Sequence, residues 1–297
     1  VAARSITALV TGATGFAGRH LVELLIAETS WDVIGLSTST TRVDDRLRIL
    51  ACDLRDASLV QRVVARHLPD VIFHLAAQSY VPKAFASPAD TFVTNVVGQL
   101  NLLEACRAAS IDPTILIVGS AEEYGQVEPD ELPIRETQPF RPVNPYAVSK
   151  IGQDMLGLQY WLSYDMRIVR VRPFNHVGPG QSDRFVLSSF ARQIADAERG
   201  RVEPVVLVGN LDARRDFLDV RDVARAYVLV VRHAQPGDVF NVALGQAQRV
   251  GDLLERLVAM ARVPITVQID PTRVRPLDIP VFVGDASRLR AATGWAP

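Results

Sequence analysis

Short apolar runs of five or six residues alternate with longer stretches whose apolar positions recur every three or four residues, and the alternation holds over the first 172 positions. Residues 6–10 form such a run, ending in Thr11, and 19–27 follow with leucines, Val22 and Ile26 at helical spacing, which predicts a strand, a tight turn and a helix. Runs at 31–36, 71–75, 114–118 and 167–171 predict further strands, separated by segments long enough for crossover helices. That order predicts an α/β fold with a doubly wound parallel sheet, whose ligand lies at the C-terminal ends of the strands. Beyond 172 the pattern breaks up. Pro-rich loops at 173–180 and 271–280 enclose helical stretches at 185–199 and 250–262, while 219–233 and 238–243 read as a helix and a strand returning to the sheet. The expected division is a main domain over 1–172, rejoined by 212–245, and a smaller interleaved C-terminal lobe made of 173–211 and 246–297.

Composition narrows the classes. With 297 residues, 48% hydrophobic and 22% charged, the chain can bury a large core. A formal net charge of -1 provides no general basic field, which argues against nucleic acid as a partner. Cys52 and Cys106 lie in apolar surroundings, with no C-x-x-C and no histidine cluster. They read as reduced core thiols of a cytoplasmic protein, and no metal is expected. No apolar run approaches the ~18 to 20 residues that span a bilayer and no signal peptide is visible, so no membrane partner is expected.

The candidate chemistry begins at Thr11-Gly12-Ala13-Thr14-Gly15-Phe16-Ala17-Gly18. Glycines at 12, 15 and 18 let a backbone turn sharply, approach phosphate oxygens and seat a helix against a strand, and the helix N-terminus presents free N–H groups to a pyrophosphate. The G-x-x-G-x-x-G spacing resembles the short-chain dehydrogenase/reductase superfamily, which implies a Rossmann-type domain. At the end of the second strand, where NAD-binding sheets carry an acid, this chain has Ser37, Thr38 and, downstream, Arg42. Hydroxyls and a guanidinium receive a 2′-phosphate that a carboxylate would repel, so NADP is expected, with NAD as the alternative. Asp53-Leu54 resembles the pair that meets adenine in this superfamily, and His74-Leu75-Ala76-Ala77 its small-residue turn beneath the nicotinamide ribose.

Tyr146 and Lys150, four apart, share one helix face. A lysine ammonium near a phenol is expected to lower its pKa from ~10, and a phenol so tuned can protonate a carbonyl oxygen as hydride reaches the carbon. Ser120, just past the strand at 114–118, completes the set by holding the same oxygen, and Lys150 would also hold the nicotinamide ribose. Asn95 reads equally as the anchor of a water behind Lys150 or as a contact between helices.

Ser120-Ala121-Glu122-Glu123-Tyr124-Gly125, Asn144-Pro145-Tyr146, 172–180, Arg215-Asp216-Phe217, Arg275-Pro276-Leu277-Asp278 and Gly284-Asp285 together resemble the extended short-chain reductases that act on nucleotide sugars. Within these the motifs resemble the GDP-mannose 4,6-dehydratase branch and its shorter GDP-6-deoxy-D-mannose reductases. The resemblance implies NADPH-dependent reduction of the C4 keto group of GDP-4-dehydro-6-deoxy-D-mannose to GDP-D-rhamnose, with Ser120, Tyr146 and Lys150 catalytic. Glu122 keeps the position of a base or ligates a sugar hydroxyl. Pro173 joins the cofactor set, and Asn175, Arg215, Arg275 and Asp278 are expected to bind the GDP-linked deoxy sugar. A 4,6-dehydratase, a C4 epimerase and a non-catalytic NADP-binding regulator are the alternatives, and Ala121 disfavours the dehydratase because alanine donates no proton. Apolar residues over 91–105 and 152–164 exceed one narrow stripe, and relatives of this kind pair such helices, so a homodimer is expected.

Overall fold

A computed structural model describes residues 5–38, 42–43 (backbone only), 46–273 and 279–297. Arg42 as a side chain, Arg275 and Asp278 therefore lie outside the described residues. In chain order the strands are β1 (Thr7–Thr11), β2 (Asp32–Ser37), β3 (Arg42–Val43), β4 (Leu47–Ala51), β5 (Val71–His74), β6 (Thr114–Val118) and β7 (Ile168–Pro173). They continue with β8 (Asn175–Val177), β9 (Val205–Val208), β10 (Arg214–Asp219), β11 (Val239–Val242), β12 (Ala247–Arg249), β13 (Thr266–Ile269) and β14 (Val281–Phe282). The main sheet runs β11-β7-β6-β5-β1-β2-β4-β3 and is parallel except where β3 meets β4. Chain order reverses between β1 and β5, which opens a crevice at their C-terminal ends.

Burial on both faces explains why the strands read as continuous apolar runs rather than as alternation. Ala8 and Val10 of β1 enter one core with Val33 of β2, whereas Leu9 enters the other with Ile34 and Leu36. Helices Phe16–Glu28 and Val220–His233 pack together against the first face, and Ala57–His67 with Gly98–Ala108 against the second. Cys52 and Cys106 are buried free thiols, and burial raises their pKa values to about 11 and about 12.

The predicted strands and helices reappear with ends shifted by a residue or two, except that the helix expected over 19–27 already starts at Phe16 and the one expected over 250–262 stops at Ala259. Of the stretch expected to return over 212–245, helix Val220–His233 and β11 lie on the main sheet, whereas β10 is central to a smaller sheet, paired with β12, β14 and β8. The buried Asp216 carboxylate on β10 accepts the backbone N–H groups of Leu244 and Gly245, both at 2.8 Å, and so stitches the end of β11 to that sheet. Phe190, Ile194, Val206, Val208, Val250 and Leu254 form the core of the lobe. Among the described residues no helix is long and apolar enough to cross a membrane, and no cluster of three His, Cys, Asp or Glu side chains is placed to hold a metal.

Candidate active site

The crevice at the switch point opens into a cavity of about 380 Å³, within the range of ~300–1,000 Å³ usual for small-molecule sites. Its floor is the glycine turn. Gly12 adopts φ 70°, and a Cβ there would sit 3.0 Å from the Ala76 backbone, so the close approach of the turn to the chain after β5 requires glycine. A Cβ on Gly18 would lie 2.1 Å from the Gly12 carbonyl oxygen, so only glycine lets helix Phe16–Glu28 rest on the turn. Gly15 caps that helix with no side-chain bond and no acid stands in the first turn, leaving N–H groups and a positive dipole end for an anion. Phe16, Ala17, Leu75, Ala77 and Pro173 line the same cavity.

Above this floor stands the acid–base set. Asn144 caps helix Pro145–Tyr164 by accepting the Ala147 N–H at 2.8 Å, and Pro145 is preorganised for the first turn, which fixes Tyr146 immediately behind it. The Tyr146 phenol is buried beside the Ser120 side chain. Burial raises its pKa, with the neighbouring Ser120 hydroxyl pulling the other way. The expected lowering by Lys150 is thus corrected. Lys150 donates instead to the Val118 carbonyl and to Gln153 Oε1, both at 2.7 Å, and desolvation outweighs any distant charge. Burial also lowers the Lys150 pKa, against the carboxylates of Glu123 and Asp154.

The two neighbouring glutamates part company. Glu122 lines the cavity, half-buried, and accepts from Asn144 Nδ2 at 3.0 Å. Glu123 is wholly buried and accepts the Ser120 N–H at 2.7 Å, with its second oxygen 3.3 Å from Arg172 Nε. Burial, then Asp154, raises its pKa. Behind it, Asp154 pairs with Arg170 at 2.7 Å and Arg172 at 2.9 Å. Sequence reasoning missed this buried cluster. Its signal was Asp154 one turn after Lys150, facing an Arg-x-Arg strand.

Other expected residues are placed as follows. Ser37 is buried and shares a 2.9 Å hydrogen bond with Thr14 of the glycine turn, and Thr38 is exposed beside it. The Asp53 carboxylate is held by Arg55 at 2.7 Å, which lowers its pKa, and Leu54 packs beneath Gly98. Asn95 serves the helix contact. Its Oδ1 accepts the Gln78 N–H at 2.7 Å, and its Nδ2 donates to the Gln78 carbonyl at 3.1 Å and to Ser149 Oγ at 2.9 Å. Asn175 is exposed and lines the cavity, with His176, Phe217 and Tyr227 as further wall residues. Arg215 is not among the lining residues, and its guanidinium donates to the carbonyls of Arg214 at 2.9 Å and Ile279 at 2.6 Å. A second cavity of about 360 Å³, between Val127, Leu132, Val143 and Ile279, lacks the acid–base set.

Compared with known proteins, residues 9–297 match the family described as GDP-mannose 4,6 dehydratase. GDP-6-deoxy-D-mannose reductase of Pseudomonas aeruginosa is 41% identical over 290 residues, covering 97% of this chain and 91% of that protein. GDP-mannose 4,6-dehydratase of Vibrio cholerae is 31% identical over 336 residues, covering 98% and 89%. The solved structure of RMD from Pseudomonas aeruginosa complexed with NADPH superposes with a TM-score of 0.87 at 39% identity, covering 99% of this chain and 94% of that one.

Proposed function

This chain belongs to the GDP-mannose 4,6-dehydratase family, and within it we propose an NADPH-dependent reductase that converts GDP-4-dehydro-6-deoxy-D-mannose to GDP-D-rhamnose. Ala121 carries this reading. It stands buried between Ser120 and Glu122 and lines the same cavity. Expelling the C6 hydroxyl needs an acid and a base beside C5, and a methyl group offers no proton, whereas reducing C4 asks for one hydride and one proton. The greater identity to a reductase than to a dehydratase supports the same choice. An intact Ser120, Tyr146 and Lys150 set disfavours a regulator, which needs a cofactor pocket but no proton donor.

Burial keeps Tyr146 protonated at neutral pH, the state from which a general acid starts. Tyr146 hands its proton to the C4 oxygen while the Ser120 hydroxyl orients that oxygen. NADPH would supply the hydride. The turn Gly12, Gly15 and Gly18 would hold its pyrophosphate, Ser37, Thr38 and Arg42 its 2′-phosphate, Asp53 and Leu54 its adenine, and Leu75, Ala76, Ala77, Lys150 and Pro173 its nicotinamide end. On the lobe, Asn175, Arg215 and Arg275 would meet the diphosphate and nucleoside, Asp278 the ribose or guanine, and Glu122 a sugar hydroxyl. Arg215 would do so while bracing Ile279.

A cytoplasmic homodimer completes the proposal. Phe92, Val93, Val97, Val148, Met155 and Leu162 are exposed along residues 88–108 and helix Pro145–Tyr164, an apolar surface that a second copy would cover. A dimer mass by light scattering supports it, and a monomer mass at working concentration removes it.

The deciding experiment incubates the protein with NADPH and a panel of 4-keto-6-deoxy nucleotide sugars and identifies products by NMR. One NADPH oxidised per sugar consumed is expected, with the GDP-linked sugar preferred. Efficient conversion of GDP-mannose to its 4-keto-6-deoxy product, with no net change in NADPH, would replace the reductase by the dehydratase.

A further inference from the structure

Gln153 follows Lys150 by three residues on helix Pro145–Tyr164 and is fully buried, as are Gln99 and His74. Gln153 Oε1 accepts the Lys150 ammonium at 2.7 Å. Its amide nitrogen then faces two acceptors, Gln99 Oε1 at 3.0 Å and His74 Nε2 at 3.1 Å. With Nε2 accepting, the His74 proton sits on Nδ1 and is donated to Thr11 Oγ1 at 2.9 Å, which also receives the Ala76 N–H at 3.1 Å. Reversing the Gln153 amide would point N–H groups at the ammonium and break the chain, so each member fixes the next. A charged His74 would set a donor against the Gln153 donor, and burial together with Lys150 keeps the ring neutral, its pKa lowered to about 3.

We infer that Gln153 and His74 are positioning residues for Lys150, tying the lysine head through Thr11 to the start of the glycine turn, so that the turn and the lysine move as one unit. Lysine has three donors on a flexible stem. Val118 and Gln153 occupy two of them and leave the third for the cavity that Lys150 lines. Thr11 ends β1 directly before Gly12, and Ala76 underlies Gly12. No short motif announces this arrangement, since its members come from β1, β5 and two helices.

The inference rests on the cofactor-binding part of the proposed function and not on the sugar. Charged or titratable groups facing Lys150 are Glu123 from the turn after β6, Asp154 on its own helix, and His74 from β5, while Tyr146 lines the same cavity and Arg170 and Arg172 of β7 are paired with Asp154. NADPH affinity of the intact protein, measured by fluorescence titration from pH 6 to 10, reads the loss of the lysine charge as an alkaline midpoint. Gln153→Leu removes an acceptor that favours the ammonium, so the midpoint falls by about one unit. Gln153→Glu keeps an acceptor and adds a negative charge, so the midpoint rises. A merely structural role would lower the melting temperature of both variants and leave the midpoints unmoved or displaced in the same direction, which overturns the inference. If Gln153→Leu fails to fold, Gln153→Glu alone decides, a rise supporting the Gln153 contact with Lys150 and no rise refuting the inference. Absence of NADPH binding by the unaltered protein overturns the functional reading and this inference with it, whereas binding without the opposed shifts overturns the inference alone.

Discussion

On the sheet side of the cleft, Ser120, Tyr146 and Lys150 are buried, and Asn144, Glu123, Val118 and Gln153 hold them or their neighbours through hydrogen bonds between 2.7 and 3.0 Å. On the lobe side, Asn175 is exposed on the three-residue strand β8, and Arg215 donates to backbone carbonyls that brace β10 against the chain at Ile279. The sheet wall is preorganised by packing and closed hydrogen bonds, whereas the lobe wall is assembled from short strands distant in sequence. Chemistry that depends on sub-ångström placement belongs on the first wall, and binding that can tolerate adjustment on the second. Substitutions on the sheet wall should therefore lower turnover or cofactor binding, and those on the lobe wall should raise KM.

The largest effect expected is from Tyr146→Phe, which removes the proton donor and nothing else from the sheet wall. Turnover with the 4-keto sugar should fall by about 10² to 10⁴ while NADPH affinity stays within about twofold. Steady-state kinetics beside a fluorescence titration measure both, and near-normal turnover would dissolve the distinction between the walls. Next, Gly18→Ala forces a Cβ against the Gly12 carbonyl. The turn must open or the helix must shift, at a cost of about 1–3 kcal/mol, and NADPH affinity should fall by roughly tenfold or more, since 1.4 kcal/mol is a factor of ten. An unchanged affinity would show that the turn is not the phosphate cradle.

Asn175→Ala probes the other wall. Losing one hydrogen bond to substrate is worth about 0.5–1.5 kcal/mol, so KM for the nucleotide sugar should rise roughly two- to twelvefold with turnover within about twofold. A fall in turnover without a change in KM would place Asn175 with the acid–base set instead.

The same contrast decides what could be read from the chain. Elements whose signals are local, such as the glycine turn with its strand and helix, or Asn144-Pro145 opening the helix that carries Tyr146 and Lys150, were legible because capping and periodicity act within a few residues. The Ser120 to Tyr146 contact was legible only through the resemblance, since it joins β6 to a helix 26 positions later. Glu123 was invisible beside Glu122. The alternation of burial follows from Gly119, where a Cβ would sit 2.4 Å from Glu123 Oε1, and from Arg172 on a strand formed 49 residues downstream. The Tyr146 pKa was expected in the wrong direction because helical spacing shows that two side chains share a face but not how deeply both are buried. Placement of β10 in the smaller sheet follows from its pairing with β8, β12 and β14, contacts whose partners are set by topology rather than by local pattern.

The smallest effect sharpens the account of the sheet wall from beneath. His74, buried behind Lys150, has a pKa lowered from 6.5 to about 3, chiefly by burial and then by the lysine charge. Above about pH 6.5 the ring is neutral in the folded and unfolded chain alike, and its full contribution to stability is present. As the pH falls below that value the unfolded chain takes up a proton that the folded chain refuses, so stability declines until the folded pKa near 3 is passed. Between pH 7 and pH 6 this linkage amounts to about 0.7 kcal/mol. His176 and His67 are shifted the same way by burial, and Glu123 and Glu136, raised by burial, oppose them. Those contributions persist in a His74→Asn protein, so the difference between the two urea-denaturation curves at each pH isolates His74. The variant should be less stable at pH 7 and should lose about 0.7 kcal/mol less than the unaltered protein on going to pH 6. Parallel losses in the two proteins would mean that the ring is solvated or charged in the folded state, and the closed hydrogen-bond chain that sets the sheet wall apart from the lobe would lose its central member.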